Sequence, residues 1–129
     1  MPLVRISLLR GKRDGFGRKV GDVVYLAMGE TLNVPDKDKF QIISEHAPES
    51  LVYDPNYLDI ERSDGFIAIQ ITLSEGRSVE MKQAFYRRVA EELRRELDVR
   101  PQDVFVNLVE VKKENWSFGN GIAQYVTRA

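Results

Sequence analysis

The residue with the most distinctive chemistry stands second in the chain. Pro2 follows the initiator Met1, and aminopeptidases generally remove Met before a small residue such as proline. The mature chain is then expected to begin with a secondary amine. An α-amino group has an unperturbed pKa of roughly 8, below that of lysine. Burial or nearby cations lower it further, toward the range useful for a base at neutral pH. Little else in the sequence competes for a catalytic role. There is no Cys, hence no disulfide framework, zinc ribbon or thiol nucleophile. The single His, His46, sits beside a strand end and reads as structural. No phosphate-binding loop, dinucleotide fingerprint, nucleophile elbow or zinc-protease motif is present.

The elements that must position such an amine follow from periodicity. Leu3 to Leu9 is a Val/Ile/Leu-rich run, read as a first strand that begins almost at the first residue. Gly11 to Gly15 punctuates it, with Asp14 a candidate helix cap. Phe16, Val20, Val23, Val24, Ala27, Met28 and Leu32 recur at helical steps and predict an amphipathic helix. Gly15, Gly17 and Gly21 are expected to weaken its first half. Val34-Pro35 ends it, and Phe40 to Ser44 reads as a second strand. Ala47 to Gly65 is a long connection with a short extended piece expected near Ser50–Tyr53. Phe66 to Leu73 is a strong third strand, and Ser78 a helix N-cap. Met81, Phe85, Val89, Leu93 and Leu97 follow at four-residue steps and make the clearest helix. Val104 to Val109 is the fourth strand.

The two halves match at an offset of 65 residues: Leu8 with Leu73, Gly11 with Gly76, Leu32 with Leu97, Asp38 with Asp103, Phe40 with Phe105. The order of elements agrees at every step, which is the mark of an internal repeat. The chain therefore reads as one α/β (α+β) domain over residues 1–129. It is built from βαβ pseudo-repeats at about 1–46 and 66–111 and a hairpin-like C-terminal arm, 112–129. Right-handed crossovers allow both helices to cover one face of a four-stranded mixed sheet. The other face keeps apolar residues without cover, so an oligomer is expected.

Composition limits the partners. Lys+Arg 19 against Asp+Glu 20 leaves a net charge of -1, which does not suggest nucleic-acid or anionic-membrane binding. No stretch approaches the roughly 18 apolar residues of a membrane span. The start is too short and too interrupted for a signal peptide. A cysteine-free chain fits a cytoplasmic location.

Several segments resemble one family. Met1-Pro2-Leu3, the doubled βαβ unit and the lack of other catalytic motifs resemble the tautomerase superfamily. Within it the chain is most similar to the malonate semialdehyde decarboxylase group. Asn33 to Gln41 resembles the group's segment leading into its second strand, and Ser44-Glu45-His46 the end of that strand. Ser74-Glu75-Gly76-Arg77-Ser78 resembles its turn into the second helix. Asn115-Trp116-Ser117-Phe118-Gly119 resembles its C-terminal signature and is the most specific piece.

The resemblance implies roles. The Pro2 amine is the central catalyst, neutral as a base in tautomerases or cationic as an acid in decarboxylases. Asp38 matches the aspartate that works beside it, orienting or activating a water. Arg77 matches one of two arginines that bind the substrate carboxylate and polarise its carbonyl. Its planar fork at a helix N-terminus suits an anion. Trp116 and Phe118 match an aromatic wall, and Tyr125 stands where the decarboxylase has phenylalanine. Glu75 stands where the group has its other arginine. An unpaired carboxylate there would raise the Pro2 pKa.

The implied activity is Pro2-dependent keto-enol tautomerisation of a small 2-oxo or 3-oxo carboxylic acid by a homotrimer, with neither cofactor nor metal. Loss of the second arginine is easier to reconcile with tautomerisation than with decarboxylation. Two alternatives stay open. One is decarboxylation or hydration of a 3-oxo acid such as malonate semialdehyde, and the other is a trimeric ligand-binding or interaction protein without turnover.

Overall fold

The computed structural model describes residues 2–127. Six main elements follow one another: strand β1 (Leu3–Leu9), helix α1 (Phe16–Thr31), β2 (Gln41–His46), β3 (Ile67–Ser74), α2 (Val79–Leu97) and β4 (Val104–Val111). The sheet order is β2-β1-β3-β4. Each βαβ half pairs its own strands in parallel, and the halves meet where β1 and β3 run antiparallel. The expected four-stranded mixed sheet with two helices is therefore the architecture found.

The halves share register as well as order. Val4 faces Gln41 in the first parallel pair, and Ile67 faces Val104 in the second, the same step along the chain. The core repeats too. Val20 and Phe85, Val24 and Val89, Met28 and Leu93, Leu32 and Leu97, Val34 and Val99 are all buried, and each pair obeys the offset of 65. Val4, Ile6 and Leu8 of β1 and Ile67, Ile69, Ile71 and Leu73 of β3 alternate into the same core. Fully burying one such side chain is worth roughly 1.5–3 kcal/mol. The central strands and the two helix stripes thus carry most of the stability. An Arg88–Glu30 ion pair, 3.1 Å, bridges the two helices on their wet side.

Local details correct the sequence reading at several points. Asp14 does not cap α1. The capping position is Gly15, at φ 77, with no side-chain bond. Glycine has no side-chain oxygen to offer the first-turn amides. Gly17 and Gly21 are not mere weak points: a methyl group at Gly17 would lie 2.7 Å from Ile43 Cγ2, and one at Gly21 would strike the Gln41 side chain. These glycines let α1 lie close on β2, and Gln41 Nε2 donates to the Gly21 carbonyl at 2.8 Å. Ser78 does cap α2, accepting from the Met81 amide at 3.2 Å. Tyr86 of α2, next to buried Phe85, is exposed. The long connection contains two single 3₁₀ turns, Pro48–Ser50 and Tyr57–Asp59, and between them Leu51 is extended, within the piece expected near Ser50–Tyr53. The arm after β4 is not a hairpin among the described residues. It is a 3₁₀ turn, Lys113–Asn115, followed by turns that fold back on the sheet end; residues 128–129 of the expected arm lie outside the described residues.

Among the described residues the second sheet face is covered only at one corner, where Tyr53 of the long connection stacks on Phe66 and Phe66 meets Phe105. Register places Ile42, Arg5, Gln70 and Asn107 in one row and Ser44, Ser7, Ala68 and Phe105 in the next. Phe40, Ile42, Phe105 and Val109 are all more than a third exposed there. Among the described residues, no helix is long and apolar enough to cross a membrane.

Candidate active site at the proline end of the sheet

Topology gathers the candidate residues at one end of the sheet. β1 and β2 are parallel, so Pro2 before β1 and Asp38 before β2 arrive together. β3 is antiparallel to β1, with Leu3 facing Thr72, so Ser74 and the turn carrying Arg77 reach the same end. β4 runs parallel to β3 and delivers the arm with Trp116, Phe118 and Tyr125 there as well. His46 ends β2 opposite Leu9, at the far end of the sheet, away from this cluster.

Pro2 is buried at the start of β1. Asp38 is also buried, 9% exposed. Its loop is clamped to α1 on both sides of it. The Lys37 amide donates to Tyr25 Oη at 3.0 Å, and Lys39 Nζ meets Asp22 at 2.8 Å while lying 4.9 Å above the Tyr25 ring. Lys37 is left-handed at φ 70, a conformation that costs a non-glycine residue and is here held by its hydroxyl partner. Burial pushes the Asp38 carboxyl above its ordinary range. The positive charges of the chain's amino terminus and of Arg77 pull the other way.

Arg77 is fixed by two main-chain acceptors. Nε donates to the Leu32 carbonyl and Nη1 to the Ser74 carbonyl, both at 2.8 Å. Leu32 caps the C-terminus of α1, where carbonyls are left over and cations are favoured. With Nε engaged, the side-on fork of Nε and Nη2 is closed. Nη2 has no partner among the described residues and Nη1 gives one of its two hydrogens to Ser74, so Nη2 and the remaining Nη1 hydrogen are left for a ligand.

The arm supplies the wall. Trp116 and Phe118 stack with centroids 5.5 Å apart, and Tyr125 meets Phe118 edge-on at 4.9 Å. Gln124 accepts from the Phe118 amide at 2.9 Å and donates to the Gly119 carbonyl at 2.7 Å, which closes the loop between the rings. Burial raises the Tyr125 pKa above its ordinary value; the Asp38 carboxylate adds to this and Arg77 opposes it. Asp38, Arg77 and Tyr125 thus feel one another electrostatically.

Glu75 is exposed, and its carboxylate makes no bond or ion pair among the described residues. Besides Asp38, the carboxylate that feels Arg77 is Glu110 of β4. Its pKa is lowered chiefly by Lys82, 2.8 Å away, with help from the Gly76 amide and Arg77. Sequence reasoning also missed Ser74, Tyr25 and Gln124, whose roles rest on hydrogen bonds that motif spacing does not encode. A groove of about 600 Å³ between the helices is lined by Arg13, Asp22, Leu26, Glu30, Arg88 and Glu92. It contains none of the candidate residues.

Comparison with known proteins gives this geometry its context. A profile of the family described as "Tautomerase enzyme" matches residues 38–119. The chain is 41% identical to the probable tautomerase YusQ of Bacillus subtilis (strain 168), over 98% of this chain and 99% of that protein. It is 31% identical to a malonate semialdehyde decarboxylase of solved structure, described with decarboxylase and hydratase activities. That likeness has a TM-score of 0.89 and covers 96% of this chain and 95% of the other. A fused 4-OT, solved as a symmetric trimer, shares the fold at 19% identity and a TM-score of 0.77, over 98% of this chain and 99% of the other. The chain belongs to the tautomerase superfamily of enzymes, in the group that resembles malonate semialdehyde decarboxylase.

Proposed function

We propose that this enzyme interconverts enol and keto forms of a small 2-oxo or 3-oxo carboxylic acid, using the amine of Pro2 as its proton carrier. The observation that supports this most is the convergence of buried Pro2 and Asp38 with an end-on guanidinium fork at one sheet end. Arg77 anchors the carboxylate through Nη1 and Nη2. The neutral Pro2 amine removes the enol O–H proton and the resulting ammonium returns a proton to carbon, so the protons balance. Asp38 stabilises the transient ammonium and orients it, since opposite charge favours the charged form. Tyr125 offers a hydroxyl to the enol oxygen. Trp116 and Phe118 exclude water, which strengthens the charge pairing with Arg77. The chemistry needs no metal or cofactor.

A second reading is decarboxylation or hydration of a 3-oxo acid with Pro2 as the cation. It draws on the 31% identity to malonate semialdehyde decarboxylase. A cationic Pro2 beside Asp38 would serve it equally well.

The assembly in this reading is a cytoplasmic homotrimer. Its support is the uncovered sheet face with Phe40, Ile42, Phe105 and Val109, together with the trimeric state of the fused 4-OT. The deciding experiment is a screen of oxo acids by NMR. Ketonisation of phenylenolpyruvate that is lost in Pro2→Ala supports the tautomerase. Acetaldehyde and CO₂ from malonate semialdehyde support the decarboxylase. No turnover of any oxo acid by the mature chain would rule out both.

A further inference from the structure

We propose that Ser74 is a positioning residue that locks the carboxylate anchor Arg77 and the aromatic wall at Trp116 into one geometry. The inference rests on the site reading above. Ser74 is the last residue of β3 and is 8% exposed, one of the few buried polar residues in the fold. It is used in two directions at once. Its Oγ accepts from Trp116 Nε1 at 3.1 Å, and its carbonyl accepts from Arg77 Nη1 at 2.8 Å.

Each bond addresses a different need. Trp116 follows a single 3₁₀ turn in an arm that has no strand ladder to orient it. The indole N–H requires an acceptor when it leaves water. Ser74 supplies the acceptor from the rigid end of a central strand, whose backbone pairs with both neighbours. The stack of Trp116 on Phe118, and the edge contact of Phe118 with Tyr125, pass that orientation to the whole wall. The Ser74 carbonyl meanwhile takes one Nη1 hydrogen of Arg77, leaving Nη2 and the other Nη1 hydrogen for a ligand. The distance between anchor and wall is thereby set within one residue, and that distance governs which carboxylates fit.

The test uses the mature, folded chain and malonate as a non-reacting carboxylate probe. Malonate affinity is read by calorimetry. Trp116 is the only tryptophan, so its emission reports its own hydrogen bond. Ser74→Ala is expected to move the emission maximum and weaken malonate about 3- to 10-fold, the scale of one lost buried hydrogen bond. Ser74→Thr, which keeps the hydroxyl, is expected to restore both. Trp116→Phe should weaken malonate to a similar extent, and the double variant should be no worse than either single, because both remove the same bond. If Arg77→Ala loses malonate while Ser74→Ala binds it normally, the role of Ser74 is overturned and the anchor stands. If Arg77→Ala binds malonate normally, or the parent does not bind it, the anchor falls and the coupling falls with it. Should Ser74→Ala fail to fold, Trp116→Phe decides alone, and unchanged affinity there overturns the proposal.

Discussion

Asp38 and Asp103 occupy the same place in the two halves of the fold, both buried, yet they face different things. Asp103 accepts from the Ser63 amide at 2.7 Å and from Ser63 Oγ at 2.6 Å, on the peptide that leads into β3. Asp38 meets the corresponding point where the chain begins, and feels the charge of the amino terminus. One position thus caps a continuous backbone in the second half and addresses a chain end in the first. The two carboxylates should separate by substitution. Asp103→Ala is expected to cost about 1–3 kcal/mol of unfolding free energy, because it leaves the half-buried Ser63 amide and hydroxyl without their acceptor. It should leave turnover near normal. Asp38→Asn should do the reverse, with kcat falling at least about tenfold on the scale of acid–base residues and little loss of stability. Urea unfolding and steady-state assays on both variants check this.

The reactive group under the proposed mechanism is an amine, so its chemical state decides activity. A chain that keeps Met1, or carries an uncleaved tag, has an amide at Pro2 and should show no ketonisation above the solution rate. Pro2→Ala keeps a terminal amine, but a primary one held less rigidly. It is expected to lose about 10²-fold or more in kcat. Intact mass alongside activity links the two measurements.

Arg77→Lys should be a poor replacement despite its charge. Lysine presents a point charge in place of a planar fork, and a single ammonium cannot hold both the Leu32 and Ser74 carbonyls and still present two parallel donors. KM for oxo acids should rise about tenfold or more, with a smaller change in kcat. A KM unchanged from the parent contradicts the anchor.

The burial of Asp38 has a sign that titration can check. Its carboxyl lies above the ordinary value of 3.8 in the folded chain. Below that value the acid is protonated in both states. As pH rises, the unfolded chain ionises first, and the folded state loses relative stability until pH passes the folded value. Asp38→Asn cannot ionise. Its stability relative to the parent should therefore climb with pH from about 3.8 upward and then level off. A difference that stays flat in chemical denaturation from about pH 3.5 to 7 would contradict this burial effect.

The uncovered sheet face predicts its own disruption. Phe105→Glu places a charge in the row of Ala68, Ser7 and Ser44. If this face joins copies of the chain, light scattering should show a shift from trimer toward monomer. The site should lose activity as the pocket loses its surroundings.

Much of this fold was legible because its information is periodic. The stripe from Phe85 to Leu97, the apolar strands and the offset of 65 are one-dimensional signals, and each maps onto a buried row. Beyond the Pro2 amine, the candidate site was legible only through resemblance. Nothing in the spacing of Pro2, Asp38 and Arg77 says that they meet; the strand directions bring them together. Ser74 stayed invisible because its partner Trp116 lies 42 residues away. Glu110 was likewise hidden, reaching Lys82 across 28 residues. Gly17 and Gly21 were misread for a related reason. Their meaning is the space needed by Ile43 and Gln41, which belong to another element.

The bond from Arg77 Nε to the Leu32 carbonyl has a consequence for stereochemistry. A guanidinium with one edge closed receives a carboxylate in its own plane and from one direction. An enol conjugated with that carboxylate would lie in the same plane and turn only one of its faces toward Pro2. Protonation at a prochiral carbon would then yield a single enantiomer, and deuterium delivered from heavy water would record which face that is.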